Sequence, residues 1–167
     1  VGIKDMMENI ERGYQWDVDY RIMVGVPKEG TELIVDEVSD GVIFDEGGLK
    51  ITAFQVEHMP INIETGNVLG LRGETIGFRM DYKGHSVLFS GDTRSTEKSE
   101  INQVGKGVDL LIHEVQAPSP GATAEANLAN VSMSVHSTPE QVGHVFEKAK
   151  PKMGVYSHII PPGTTAE

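Results

Sequence analysis

The chain of 167 residues is long enough to form one domain with a real core. It is acidic: 14 Lys and Arg stand against 25 Asp and Glu, a net charge of −11 with histidines neutral, which argues against a general nucleic-acid binder with a basic face. It has no cysteine, which excludes disulfides, cysteine-based zinc sites and thiol catalysis, and directs any metal chemistry to histidine and carboxylate ligands.

In chain order, Met6, Met7, Ile10, Tyr14 and Val18 recur at spacings of three and four, which predicts an amphipathic helix over residues 4–18. Residues 20–30 read as extended and end in a Pro27/Gly30 turn. Leu33-Ile34-Val35 and Val42-Ile43-Phe44 read as short strands around a Ser39-Asp40-Gly41 hairpin turn. Gly47-Gly48 is another turn, and Leu49 to His58 a longer strand. Residues 59–74 have no period and read as a loop beside His58, a length commonly associated with function. Thr75 to Tyr82 and His85 to Ser90 form a hairpin around Lys83-Gly84. Thr93 or Ser95 caps a helix expected from Thr96 to Val104. Residues 108–113 are the next strand, and 117–130 a loop. Thr138-Pro139-Glu140-Gln141 reads as N-cap, first-turn proline and acidic first turn of a helix reaching Ala149. Met153 to His158 is the last strand, and Pro161-Pro162-Gly163 ends ordered structure. No domain boundary is visible.

No apolar run nears the ~18 residues of a membrane span, so no membrane partner is expected. The chain begins with Val1, so its natural start is expected upstream. No signal peptide is visible, which favours the cytoplasm, with the periplasm open if a leader precedes Val1.

The chemistry gathers at strand ends. Val87-Leu88-Phe89 stops at Gly91 and delivers Asp92. Leu110-Leu111-Ile112 delivers His113-Glu114, and Met153 to Tyr156 delivers Ser157-His158. His58 follows another apolar run, and His136 stands in His136-Ser137-Thr138. Convergence of such side chains is the pattern of a metal-dependent hydrolase site. Singly, each has a plainer reading: an Asp after a strand is commonly a turn residue, and a strand-end His is commonly just hydrogen-bonded. His85 in its hairpin turn is read as solvated surface, and His144 in mid-helix as structural.

The order and flanks of these residues carry a resemblance. Phe54-Gln55-Val56-Glu57-His58, Gly77-Phe78-Arg79-Met80, Phe89-Ser90-Gly91-Asp92-Thr93-Arg94, Leu111-Ile112-His113-Glu114, His136-Ser137-Thr138 and Ser157-His158 follow one another. In this order the chain resembles the C-terminal half of the metallo-β-lactamase superfamily, in its ribonuclease Z and arylsulfatase-like branch. The resemblance implies an α/β fold, an αββα sandwich whose C-terminal half is a mostly antiparallel sheet with flanking helices. It implies two divalent metal ions in the complete protein, zinc first, manganese or iron as alternatives. His58 would bind the first metal, His158 the second and Asp92 both, with a metal-bridged hydroxide as nucleophile. His136 would protonate the leaving group and Glu114 orient it. His113 and Thr93 would stand behind the ligands and hold them.

One part of the superfamily pattern is absent: no His-x-His-x-Asp-His motif occurs in the chain. The expectation is therefore a partial domain over residues 1–167, inactive alone, with an exposed sheet face that favours homo-oligomers. Substrate follows from two features. The tRNA-gripping arm of short ribonuclease Z enzymes falls between the strands that here flank Lys83-Gly84. The tail from His158 to Gly163 looks more like the arylsulfatase-like members. These point to small anionic esters, sulfate or phosphodiester, over tRNA. Ribonuclease Z activity on tRNA 3′ ends and a non-catalytic remnant of the fold are the alternatives.

Overall fold

Two glycines at Gly47-Gly48, both in the left-handed region at φ +60° and +81°, fold the chain back between β1 (Gly41–Glu46) and β2 (Leu49–Gln55). The structure, a computed structural model, describes residues 2–59, 75–118, 120–121 and 131–160. All but Met59 of the loop expected over 59–74, most of that over 117–130 and the Pro161-Pro162-Gly163 stop lie outside the described residues. The chain divides into two units, residues 1–38 and 39–167.

The first unit is helical. α1 runs over Ile3–Gly13 and α2 over Gln15–Met23, followed by a 3₁₀ turn at Lys28–Thr31. The single helix expected over 4–18 is thus two helices, and the extended reading of residues 20–30 fails. Pairs one turn apart carry α2 to Met23: Gln15 Nε2 donates to Asp19 (2.8 Å), Arg21 Nε to Asp17 (2.6 Å), and the Trp16 and Tyr20 rings stack at 6.0 Å. Residues 33–35 form no strand, so Ser39-Asp40-Gly41 turns no hairpin. The run is only three apolar residues between acids, and Ile34 is 85% exposed. Glu37, just beyond it, instead accepts the Gly2 and Lys4 amides at the start of α1 (2.8 and 3.4 Å), which holds its carboxyl below the usual range.

In the second unit the described residues form one six-stranded sheet in sequence order. It comprises β1, β2, β3 (Ile76–Tyr82), β4 (His85–Phe89), β5 (Leu110–Gln116) and β6 (Met153–Ile160). β1 to β4 pair antiparallel; β4–β5 and β5–β6 pair parallel. The β4–β5 connection contains α3 (Ile101–Val104), and the β5–β6 connection contains α4 (Val131–Val135) and α5 (Pro139–Ala149). This is the mixed α/β architecture expected, with a larger parallel part.

α3 is one turn rather than the helix expected from Thr96. Polar side chains capture the preceding backbone: Asn102 Nδ2 donates to the Thr96 and Glu97 carbonyls, and the Thr96 amide donates to Ser99 Oγ. α5 starts where its sequence says. Thr138 and Gln141 exchange both capping-box hydrogen bonds, with Pro139 at the first position.

The core lies on one sheet face. Phe54, Leu88 and Leu111 pack with Ile101, Val108, Val145 and Ala149, all nearly sealed from solvent. Contact is close enough to demand glycine: a Cβ on Gly77 would sit 2.4 Å from the Phe54 ring, and one on Gly154 2.8 Å from the Phe146 ring. The other face is apolar too. Strand register puts Phe44, Ile51, Met80, Val87, Leu110 and Met153 in one row. Ala53, Phe78, Phe89, Ile112 and Val155 make the next. In these rows Met80, Phe89, Phe44 and Met153 are exposed by 36% to 61%.

Candidate metal centre

The site is built at one end of this sheet from the segments that leave β2, β4 and α4 and from the last residues of β5 and β6. β4 ends at Phe89 and the chain swings through Gly91, left-handed at φ +62°, to place Asp92 beyond the strand. Ser90 secures the turn: its hydroxyl donates to the Gly91 carbonyl (2.6 Å) and accepts the Glu114 amide (3.1 Å). β2 stops at Gln55, short of the predicted His58, and His58 sits on the chain that leaves it. That chain is clamped to the Asp92 turn. The Glu57 amide donates to Thr93 Oγ1 (3.1 Å), the Arg94 amide to the Glu57 carbonyl (2.7 Å), and Ser99 Oγ to the Glu57 carboxylate (2.8 Å).

His158 is placed by a defect in the sheet. Pairing of β5 with β6 passes from Glu114–Ser157 to Val115–Ile159, so His158 is an extra residue on β6. Its φ is +42°, a conformation rare for a side chain with a Cβ. The bulge turns His158 out of the alternation of the strand and toward Asp92.

These turns bring four side chains together. Metal-ligand atoms of His58, Asp92 and His136 all lie within 4.8 Å of one another. Asp92 Oδ2 is 3.5 Å from His158 Nε2. The His136 ring stands 5.1 Å from that of His58 and 5.5 Å from that of His158, centre to centre. Three imidazoles and one carboxylate, the last two partners half-exposed, are the hard-to-borderline donor set that suits a divalent cation.

Behind His136 lies Glu114, 1% exposed. One oxygen, Oε1, accepts the Thr93 amide (3.0 Å), the Ser137 amide (3.0 Å) and His136 Nδ1 (3.2 Å). Its other oxygen is buried without a partner among the described residues. Burial pushes the Glu114 carboxyl up to about 7; the two amides oppose this and the charge of Asp92 adds to it. Burial also lowers His136; Asp92 opposes that, whereas His58 and His158 reinforce it. With Nδ1 on Glu114, His136 keeps Nε2 for the cleft.

His113, next on β5, is used differently. It is fully buried, its Nδ1 lies 2.6 Å from the Glu114 carbonyl and its Nε2 2.8 Å from Ser95 Oγ. A carbonyl only accepts, so Nδ1 carries the proton and Ser95 donates to Nε2. Burial holds His113 down to about 4. Both ring nitrogens are thus taken, and His113 holds the loop at Ser95 rather than any of the clustered histidines. Thr93 does contact the cluster's supports, through Glu57 and Glu114. Sequence reading gave no site role to Glu57, Ser95, Ser99 or Ser137, although Glu57 and Ser137 stood inside quoted motifs and Ser95 was read as a helix cap. His85 and His144 are 83% and 64% exposed at their side chains, away from the cluster.

Comparison with known proteins agrees with this picture. The profile of the beta-lactamase superfamily domain matches residues 5–159. The ribonuclease Z of Mycobacterium avium (strain 104) is 27% identical over 146 residues, covering 87% of this chain and 48% of that protein. The ribonuclease Z of Anoxybacillus flavithermus is 29% identical over 143 residues, 81% of this chain and 42% of that protein. The chain thus spans about half the length of the curated relatives it matches. Among solved structures, the zinc-bound PqqB of Methylobacterium extorquens aligns with a TM-score of 0.52 at 15% identity, over 72% of this chain and 43% of that one, a likeness of fold. With a matching profile over most of its length and the histidines, aspartate and glutamate of its motifs drawn to one end of the sheet, the chain belongs to the beta-lactamase superfamily.

Proposed function

We propose that the complete protein is a metal-dependent phosphodiesterase of the ribonuclease Z kind, which cuts precursor tRNA at its 3′ side, and that this chain contributes the C-terminal half of its domain. The observation that carries the hydrolase reading is the joint placement of His58, Asp92 and His136 donor atoms within 4.8 Å. The ribonuclease Z relatives, which cover 87% and 81% of this chain, favour RNA over the small anionic esters, sulfate or phosphodiester, first expected.

In this reading His58, Asp92 and His158 would hold the divalent metal. Divalent metal there supplies Lewis acidity for a phosphoryl oxygen and a nucleophile drawn from water at neutral pH. The chain's own residues do the rest. Asp92, held by the Ser90–Thr93 turn, keeps His58 and His158 in one cleft. His136, protonated at Nε2, passes that proton to the leaving oxygen. Glu114 accepts the Nδ1 proton bond and fixes the ring's orientation. Thr93 keeps Glu114 and the His58 segment in register.

A second reading, hydrolysis of small anionic diesters, is favoured by the β3–β4 connection. It consists of Lys83-Gly84 alone and leaves no arm at that point to grip tRNA. The net charge of −11 also gives little counterion-release drive for RNA. A paired assay of the full-length protein separates the two. Precursor tRNA, bis-nitrophenyl phosphate and nitrophenyl sulfate are offered under the same metal conditions. Site-specific removal of the tRNA trailer, with slow cleavage of both nitrophenyl esters, is the expected result. Efficient diester cleavage with intact tRNA would transfer the proposal to the second reading, and no turnover of any substrate by metal-loaded protein would end both.

A further inference from the structure

Ser137 is fully buried, yet every polar atom it has is bonded. Its amide donates to Glu114 Oε1 (3.0 Å) and its carbonyl accepts the Gln116 amide (2.8 Å). Its hydroxyl donates to the Thr93 carbonyl (2.6 Å) and accepts the Ser95 amide (2.9 Å). Its main chain is therefore fixed to the β5 residues that carry the buried carboxylate. Its side chain spans residues 93 and 95 of the turn that carries Asp92. His136 precedes it directly. One hydroxyl thus joins the His136 segment to the Asp92 turn.

Among the described residues, Ser137 Oγ is the group that bonds both Thr93 and Ser95 directly from the His136 segment. Arg94 reaches the Ser134 carbonyl only at 3.5 Å and from a half-exposed guanidinium. Thr93 N reaches Glu114, which lies on the strand. Alanine's methyl in place of the hydroxymethyl side chain would leave the Ser95 amide and the Thr93 carbonyl without this partner in a sealed place, which is costly for buried polar groups. The Asp92 turn would then move relative to His136.

We propose that Ser137 is a positioning residue: its hydroxyl sets the separation of Asp92 and His136 by clamping the Thr93–Ser95 turn. This rests on reading the cluster as a metal-dependent hydrolase site, and its test reads metal binding as well as rate. In the full-length protein, zinc affinity is measured by chelator competition, turnover with bis-nitrophenyl phosphate and precursor tRNA, and stability by melting. Ser137→Ala is compared with Ser137→Thr, which restores a hydroxyl. Ser86→Ala serves as control, because that buried hydroxyl accepts the Asp109 amide (3.1 Å) at the opposite end of β4.

Ser137→Ala is expected to weaken zinc binding by about 10-fold or more, the size of effect that groups supporting metal ligands show, and to lower kcat with KM little changed. Ser137→Thr returns most of the affinity. Ser86→Ala lowers the melting temperature and leaves zinc affinity unchanged. Unchanged affinity and kcat in Ser137→Ala, or an equal affinity loss in Ser86→Ala, overturns the proposal. If Ser137→Ala does not fold, Ser137→Cys, a weak donor and acceptor of similar shape, decides by the same affinity measurement. A protein that binds zinc and cleaves neither substrate defeats the functional reading alone, and the zinc measurement still decides the clamp.

Discussion

His136 Nδ1 stands 3.2 Å from Glu114 Oε1, and the two side chains are 9% and 1% exposed. A carboxylate so placed can hold an imidazole that donates protons from Nε2, or one that binds metal through it. Their roles separate in the variants. In the full-length protein His136→Ala is expected to lower kcat by roughly 100-fold or more with normal metal content, the loss typical of removing a general acid. Glu114→Gln should act in the same direction and less severely. Elemental analysis beside the rate decides: metal lost from His136→Ala makes His136 a ligand.

His113 predicts a dependence of stability on pH. Its ordinary value of 6.5 falls to about 4 in the fold. The unfolded chain therefore takes its proton near 6.5 and the folded chain only near 4. This contribution is complete above 6.5 and is lost as pH falls toward 4, by about 3 kcal/mol in all. Glu114, raised from 4.5 to about 7, works the other way: its contribution is present below 4.5 and lost as pH rises through 7. The two overlap, so the comparison must isolate one. Urea unfolding at pH 7.5 and 5, with and without His113→Gln, should show a smaller loss on acidification in the variant. Equal losses in both proteins would contradict the buried neutral imidazole.

Local signals explain what could be read in advance. Thr138-Pro139-Glu140-Gln141 specifies its helix start by contacts within four residues, and the cap forms as written. Gly47-Gly48 likewise turns its hairpin by backbone preference, and the short Lys83-Gly84 turn is marked by its glycine. The signals that failed were those settled by distant partners. Leu33-Ile34-Val35 has strand-forming side chains and no neighbouring strand to pair with. Thr96 to Glu100 could have been helical, but Asn102 and Ser99 take up their backbone groups. At the site, Asp92 was legible because a glycine turn ends its strand. The bulge at His158 depends on a register shift against β5, which no run of residues around His158 announces.

That bulge leads to a third prediction. His158 sits in a left-handed conformation that a histidine pays for in strain, of order 1 kcal/mol or more. If the strain serves ligand placement, stability and metal affinity should move in opposite directions. His158→Gly is expected to raise or preserve the melting temperature of metal-free full-length protein while lowering its zinc affinity. His158→Ala should lower affinity without the gain. Asp92→Ala, which removes the shared carboxylate, should lower it most. Retention of full zinc affinity by His158→Gly would remove His158 from the ligand set.

The last prediction concerns the uncovered sheet face. The rows through Phe44, Met80, Val87 and Met153, and through Phe89 and Val155, are apolar from edge to edge. Tyr82, His85 and Leu49 continue the surface with Met80 and Val87 around a hollow of about 370 Å³. Exposed apolar surface of this continuity favours association. The 167-residue chain by itself is therefore expected to form dimers or larger assemblies through this face. Phe89→Lys and Val155→Lys, both partly exposed, should shift light-scattering mass toward the monomer, at a modest cost in stability because each charge can reach water. The opposite, helix-covered face supplies the control: Lys148→Glu on α5, 39% exposed at its side chain, should leave the mass distribution unchanged. A monomer at high concentration before any substitution would show that this face does not drive association.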